Sequence, residues 1–321
     1  MRSDASATTG SRELPRDWFY APIWQPSIAP ERETSQRRHL VFSDGSALAA
    51  AIVAALGPRT QVVLPGATCG PKANGAFTVR PGERADIQRV FEALGTGARA
   101  WIPEAVVYLW SCVSTVRDAP PMVVAFTSLV HLVEQLGRSD SDVDLTVVTQ
   151  GARSVTGHEA LCLESALAIG PCMAAPHEYA QISCRQVDIE ACPRSASQQR
   201  QLVHGICSEL RHAESALVVA YRRGARFVLD YHPVPIDEPD HTLLREGGVY
   251  LVIGGTDGVG AELARLLARR PGVRLAVVGR QRLPRECCDA ISDGVDADLA
   301  RRARVLKELR AAVAEVRYYR A

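Results

Sequence analysis

The sequence has no excess of charge of either sign. Its 321 residues carry 37 basic and 36 acidic side chains, which leaves a formal net charge of +1. Binding to nucleic acids or to membrane surfaces draws on a basic excess, so this balance gives no electrostatic reason to expect either partner. Long apolar runs are missing too. The longest, Ala47–Leu56, has 10 residues and is too short to span a bilayer.

The cysteines and histidines form no metal-binding pattern. The nine cysteines are scattered without a C-x-x-C pair, and the eight histidines are equally dispersed. We therefore predict no metal site. The odd cysteine count and the lack of a signal peptide predict a cytoplasmic protein rather than a secreted one.

A glycine-rich turn after residue 253 is the most informative motif. The apolar run Val249–Ile253 leads into Gly254-x-x-x-Gly258-x-Gly260, and an amphipathic helical pattern follows directly. A buried strand, a glycine turn and a helix in this order predict a dinucleotide-binding unit. Glycines let the backbone approach a pyrophosphate, and the first N–H groups of the helix are free to bind that anion.

A second apolar strand follows this helix. Pro271 and Gly272 end the helix, and the strand runs from Val273 to Arg280. A basic residue at the end of the second strand lies where the 2′-phosphate of NADP would bind, whereas NAD-specific sites favour a carboxylate there. Arg280 therefore predicts a preference for NADP.

The rest of the chain predicts an α/β architecture in two parts. Residues 1–16 are small and polar and indicate a disordered tail. Residues 17–240 alternate strand-like and helix-like segments, and the polar stretch Ile236–Thr242 marks a boundary. Residues 247–321 predict strand, helix, strand, helix and strand. We therefore predict two Rossmann-like, doubly wound α/β units, of which the second is truncated after its third strand.

Individual elements of the first unit can be predicted from apolar periodicity. The predicted strands are His39–Ser43, Gln61–Leu64, Ala105–Ser111, Asp144–Thr149, Ile182–Ile189 and Ala216–Tyr221, and the predicted helices are Ala47–Leu56, Asp86–Leu94, Met122–Leu136 and Ser197–Arg211. The first strand-turn-helix passes through Ser43–Ser46, which lacks the glycine spacing. We interpret this unit as Rossmann-like without a phosphate site.

The order of these segments resembles the ketoreductase domains of polyketide synthases, which are short-chain dehydrogenases/reductases. Gly247–Gly260 resembles the start of their catalytic half. Segments upstream resemble their structural half, in the same order, from about residue 17 onwards: Trp18–Trp24, Leu40–Ala49, Val106–Ser111, Leu145–Ser154, Gly170–Tyr179, Cys184–Ile189 and Val218–Phe227.

The resemblance implies a cofactor, a reaction and partners. The family reduces a β-ketoacyl group on an acyl carrier protein with NADPH. Residues 17–240 would be the structural subdomain and residues 247–321 part of the NADP-binding catalytic subdomain. Arg280 would pair with the 2′-phosphate. The residues of the turn that would hold the cofactor are Gly254, Thr256, Asp257, Gly258, Val259 and Gly260. Partners would be an acyl carrier protein and neighbouring synthase domains, or a downstream chain.

The chain departs from the family in ways that bear on mechanism. Ile253 replaces a threonine that braces the turn, and Asp257 places a carboxylate near the incoming phosphates unless it turns outward or pairs. The family's active-site serine, tyrosine and lysine have no counterpart, because neither Tyr318 nor Tyr319 is followed by a lysine four residues later. We therefore predict no catalytic residues, and cofactor binding that is weak or absent.

Two alternatives to a broken or split reductase stay open from sequence. The chain could be a non-catalytic, ketoreductase-like scaffold of a megasynthase, or its reading frame could be a truncation with the rest of the enzyme encoded downstream. The arginines Arg301, Arg302 and Arg304 are predicted to form the solvated face of a helix, with an i,i+4 pair between Arg304 and Glu308.

Overall fold

The structure is a computed structural model, and it places the chain in two compact units, Met1–Val234 and Pro235–Ala321. It describes residues 19–29, 37–95, 101–112, 119–190, 195–212, 216–234, 244–283, 297–313 and 315–321. The predicted tail 1–16 and the predicted boundary Ile236–Thr242 lie outside the described residues.

The described residues of the first unit form an α/β unit built on one ten-stranded sheet. Its strands are β1 Tyr20–Ser27, β2 His39–Phe42, β3 Thr60–Pro65, β4 Gly70–Pro71, β5 Phe77–Val79, β6 Ala105–Tyr108, β7 Val143–Gln150, β8 Ile182–Ile189, β9 Val218–Arg222 and β10 Ala225–Pro233. Its helices are α1 Ala47–Leu56, α2 Arg84–Gly95, α3 Ser128–Leu136, α4 Leu163–Ala166, α5 Ile169–Glu178 and α6 Ala196–Arg211. The sheet order is β1-β10-β9-β8-β7-β6-β2-β3-β5-β4.

The parallel centre of this sheet confirms the predicted α/β class. β2 pairs in parallel with both β3 and β6, and the series continues in parallel through β7, β8 and β9. All four residues of β2 and of β6 are buried, which is expected when helices cover both faces of a parallel sheet. Two apolar clusters lie on the two faces, one containing Leu40 and Phe42 and the other Val41.

Several elements of the first unit were not predicted. β1 and β10 form an antiparallel pair at one edge of the sheet, joining residues about two hundred positions apart. The segment that contains His177 is a helix, α5, which is not among the predicted helices. The predicted helix Met122–Leu136 is also interrupted by a π-helical stretch, Val123–Thr127. The Ser128 hydroxyl supports that stretch, because it donates to the Val123 carbonyl at 2.9 Å and accepts from the Gly82 N–H at 2.8 Å.

A tryptophan lies where this sheet would otherwise bind a ligand. In doubly wound sheets, ligands bind outside the carboxyl ends of the strands at the point where the strand order reverses, which here lies between β2 and β6. Trp110 follows β6, is fully buried, and donates its Nε1–H to the Ser43 carbonyl at 2.9 Å. The absence of a phosphate site in the first unit stays a prediction.

Two buried ion pairs brace the far side of the same sheet. The Arg222 guanidinium contacts the carboxylate of the fully buried Asp188 and also the Glu159 carboxylate, at 3.3 Å. Arg226 contacts the fully buried Glu209 at 2.7 Å, and the Tyr221 hydroxyl donates to the same carboxylate at 2.7 Å. Each buried carboxylate therefore has a charged partner, which its removal from water requires.

The described residues of the second unit form a three-stranded parallel sheet with two helices. Its elements are β11 Val249–Ile253, α7 Gly258–Ala268, β12 Arg274–Gly279, α8 Ala297–Ala312 and β13 Glu315–Arg320, and the sheet order is β11-β12-β13. The core lies on one face, where Val252 and Val277 pack with Ala264 and Leu309 of the two helices. On the opposite face Val249, Leu251 and Ile253 are exposed.

Candidate functional site

The glycine turn between β11 and α7 has the backbone shape that its sequence predicts. Gly254 and Gly258 lie in the left-handed region, with φ of 78° and 49°, where glycine is favoured. A Cβ on Gly260 would lie 2.4 Å from the Gly254 carbonyl oxygen, so a side chain there would force the turn open. Around Gly254 and Gly258, a Cβ would meet no atom within 4 Å. The turn is tight on its inner side and open on its outer side.

The turn and Arg280 lie at the same edge of the sheet. The Gly254 N–H donates to the Val278 carbonyl at 2.8 Å, which ties the start of the turn to the end of β12. Arg280 comes two residues later and is exposed. Of the other predicted cofactor residues, Thr256 is buried and Val259 is exposed on the first turn of α7. The structure therefore brings the predicted residues together at the carboxyl edge of the three strands.

Asp257 caps the helix and is held by two arginines. Its Oδ1 accepts from the Gly258 N–H at 2.9 Å, and its Oδ2 lies 3.1 Å from Arg302 Nη2 and 3.3 Å from Arg301 Nη2. The hydrogen bond from Arg301 and the Gly258 N–H lower the pKa of Asp257 below its usual value, so the group stays a carboxylate. Of the two outcomes that the sequence allowed for this carboxylate, pairing is the one observed.

The ion pair predicted on the solvated face of α8, between Arg304 and Glu308, is wrong. Arg301 and Arg302 reach back across the unit to Asp257, and Glu308 pairs with Arg265 of α7 at 2.8 Å rather than with Arg304. Periodicity could not reveal these contacts, because they join residues more than forty positions apart. The one signal in the sequence was the carboxylate in the turn, which would have to turn outward or pair with a basic residue.

The tyrosines of β13 do not form a catalytic pair with a lysine. The Tyr318 hydroxyl donates to the Gln281 carbonyl at 2.6 Å, and burial raises the pKa of this hydroxyl despite the opposing charges of Arg302 and Arg320. Tyr319 points to the exposed face of the sheet and is about half exposed. The chain has two lysines, Lys72 and Lys307, and neither follows a tyrosine by four residues.

The part of the chain that the structure describes has no candidate metal site and no membrane-spanning helix. No group of three or more histidine, cysteine or acidic side chains there could hold a metal ion. Among the same residues, no helix is long and apolar enough to cross a membrane.

The fold and the turn resemble those of one class of proteins. A parallel β-α-β-α-β unit with a Gly-x-x-x-Gly-x-Gly turn at the start of its first helix has the Rossmann-type arrangement found in short-chain dehydrogenases/reductases. A second Rossmann-like unit without the glycine spacing precedes it.

Within this class, the chain is similar in sequence to domains of polyketide synthases. Residues 248–321 match the family model of the KR domain. The chain is 28% identical over 280 residues to erythronolide synthase EryA3 of Saccharopolyspora erythraea, which covers 84% of this chain and 8% of that protein. It is 29% identical over 162 residues to polyketide synthase PksM of Bacillus subtilis, which covers 50% of this chain and 4% of that protein.

Solved structures show the same fold. A multidomain structure of a keto acid-selecting NRPS module, with adenylation, ketoreductase and pseudo Asub domains, matches 97% of this chain and 26% of that one, with a TM-score of 0.72 and 20% identity. An N-terminal ketoreductase from the macrolactin assembly line matches 94% of this chain and 59% of that one, with a TM-score of 0.64 and 16% identity.

These comparisons confirm the resemblance to a polyketide synthase ketoreductase domain of the short-chain dehydrogenase/reductase type. The match to EryA3 covers 280 residues, which is more than the second unit contains. The similarity to EryA3 therefore extends into the first unit. The chain spans less than a tenth of the curated relatives it matches, and those relatives are multidomain synthases.

Proposed function

We propose that the second unit binds NADPH. It would supply the cofactor-binding half of the active site for β-ketoacyl reduction in polyketide biosynthesis. The observation that carries the proposal is the glycine turn at the N-terminus of α7, with Arg280 at the same edge of the sheet. Ketoreductase domains of this superfamily are NADPH-dependent in general. The predicted cytoplasmic location would give access to this cofactor.

The residues present fit such a cofactor. The outer side of the turn is open at Gly254 and Gly258, and α7, whose N-terminus would hold a pyrophosphate, begins at Gly258. Arg280 is exposed and can form a charge-assisted contact with a 2′-phosphate. When bound, the nicotinamide ring would supply the hydride that reduces a ketone. This chain's own residues would bind and orient the cofactor.

We also propose that residues 1–321 do not reduce a ketone by themselves. General acid catalysis contributes about 10²–10⁴-fold, and neither lysine of this chain is spaced to support a tyrosine acid. The proton donor would come from other residues, in an adjoining part of a synthase or in a separate chain. The substrate would be a β-ketoacyl group on an acyl carrier protein, with neighbouring synthase domains as partners.

Cofactor titration tests the proposed site. The chain should bind NADPH about ten- to a hundredfold more tightly than NADH, because Arg280 adds a charge-assisted contact to the 2′-phosphate. Arg280→Ala should remove this preference and leave NADH binding unchanged, and Arg282→Ala, two residues away and also exposed, should preserve it. Equal affinities of the unmutated chain for the two cofactors would contradict the assignment of Arg280.

The same titration separates the two functional classes. A non-catalytic ketoreductase-like scaffold predicts that neither cofactor binds at any accessible concentration. If a dinucleotide binds, incubation with NADPH and a small β-ketothioester should still give no substrate-dependent loss of absorbance at the nicotinamide band. Steady oxidation that persists after Tyr318→Phe and Tyr319→Phe would show that the chain holds a proton donor that we have not identified.

A further inference from the structure

The carboxylate in the glycine turn poses an electrostatic problem for the proposed cofactor. Asp257 precedes the first residue of α7 and accepts a hydrogen bond from the first N–H of that helix, at 2.9 Å. The N-terminus of α7 is where the turn would hold a pyrophosphate. An unpaired negative charge there would repel the phosphates, because like charges a few ångströms apart repel each other even at a solvent-exposed protein surface.

Two arginines of α8 address this problem. Arg302 Nη2 lies 3.1 Å from Asp257 Oδ2 and Arg301 Nη2 lies 3.3 Å from the same oxygen. Arg301 also contacts Asp298 at 3.0 Å, so the four charged groups Asp257, Asp298, Arg301 and Arg302 sum to zero. Without the arginines, the Asp257 carboxylate would stand in the turn without these two ion pairs.

The arginines also fix where the carboxylate lies. The two arginines of α8 donate to Oδ2, while Oδ1 accepts from the Gly258 N–H. Asp257 therefore caps the helix, and its carboxylate is held in one position beside the turn. Arg302 is only partly exposed, and its Nε is buried without a hydrogen-bond partner among the described residues.

We propose that Arg301 and Arg302 are positioning residues for the dinucleotide: they neutralise Asp257 and hold it as a helix cap, so that the turn accepts a pyrophosphate despite its own carboxylate. This inference rests on the proposed function.

A thermodynamic cycle on the full chain tests the proposal. Kd values for NADPH and for NADH would be measured by titration for the unmutated chain, for Arg301→Ala/Arg302→Ala, for Asp257→Asn and for the triple variant. The double arginine variant should bind both cofactors about tenfold more weakly, because it exposes the phosphates to uncompensated charge. The ratio of the two Kd values should not change, since Arg280 is untouched.

Rescue separates a positioning role from a structural one. In the triple variant, removal of the carboxylate should restore most of the lost affinity, although the α8 contacts are still missing. Arg265→Ala is the matched control, because it breaks the 2.8 Å contact between α7 and Glu308 of α8 away from the turn. It should leave both Kd values within about twofold. Asp257→Asn alone should bind at least as well as the unmutated chain, and it supplies the test if the arginine variant fails to fold.

The outcomes distinguish the two proposals. Equal NADPH affinity in the unmutated chain and in the double arginine variant would overturn the role of the arginines and leave the cofactor site standing. Weaker binding by Asp257→Asn would overturn it as well, since the carboxylate would then be a favourable contact. Failure of the unmutated chain and of every variant to bind either cofactor would overturn the proposed function itself.

Discussion

The exposed face and edge of the second unit lead to a specific prediction about association. In the described residues β11 pairs with β12 alone, so its other edge carries unpaired backbone groups. On the uncovered face, Val249, Leu251 and Ile253 are 62%, 64% and 77% exposed. An exposed apolar edge strand promotes pairing with another chain. We therefore expect the purified protein to self-associate through β11.

Substitution by lysine should suppress this association at little cost in stability. Full burial of an aliphatic side chain stabilises by about 1.5–3 kcal/mol, and Ile253 is only about a quarter buried, so Ile253→Lys should cost roughly 0.3–0.7 kcal/mol. The neighbouring Val252 is the matched control. It is 8% exposed and packs in the core, so Val252→Lys should cost more than about 2 kcal/mol and disrupt the unit.

Two measurements check this reasoning. Light scattering over a concentration series should show a shift towards monomer for Leu251→Lys/Ile253→Lys. Hydrogen exchange should show faster exchange at Leu251–Ile253 than at Val147–Thr149, because β7 lies between two paired strands. Equal protection of the two segments in a dilute monomer would refute the open-edge argument, as would unchanged association of the lysine variant.

Three further predictions concern the two units separately. Arg222→Ala should destabilise the first unit by about 3–5 kcal/mol in urea unfolding, because it leaves the buried Asp188 without its charged partner, and a change below about 1 kcal/mol would contradict this. Burial opposes ionisation of Glu159, but hydrogen bonds led by the Thr156 N–H lower its pKa to about 2, so its contribution is present above pH ~4.5 and is lost as the pH falls towards 2. Glu159→Gln should make the unfolding midpoint depend less on pH over that range, and an unchanged pH profile of the midpoint would refute the assignment. Gly260→Ala should abolish dinucleotide binding, since its Cβ would lie 2.4 Å from a backbone oxygen, and retained affinity would show that the turn tolerates opening.

Much of the secondary structure was determined by the sequence alone. The helix Ala47–Leu56 and the strand Ile182–Ile189 have the predicted bounds, and the glycine turn lies between a strand and a helix as predicted. These elements depend on short-range patterns, namely apolar runs, caps and glycines, whose effects act within a few residues. The resemblance to ketoreductases rests on the same segments and their order along the chain.

The tertiary structure decided which distant residues meet. Strand β1 pairs with β10, although about two hundred residues separate them, and Trp110 donates to the Ser43 carbonyl. The carboxylate of Asp257 pairs with arginines of α8 rather than remaining a repulsive charge in the turn. No local pattern predicts such contacts, because ion pairs and edge pairings are chosen by the positions that chain folding gives to their partners. Sequence identified the turn, and the packing of α8 determined the charge that a cofactor would meet there.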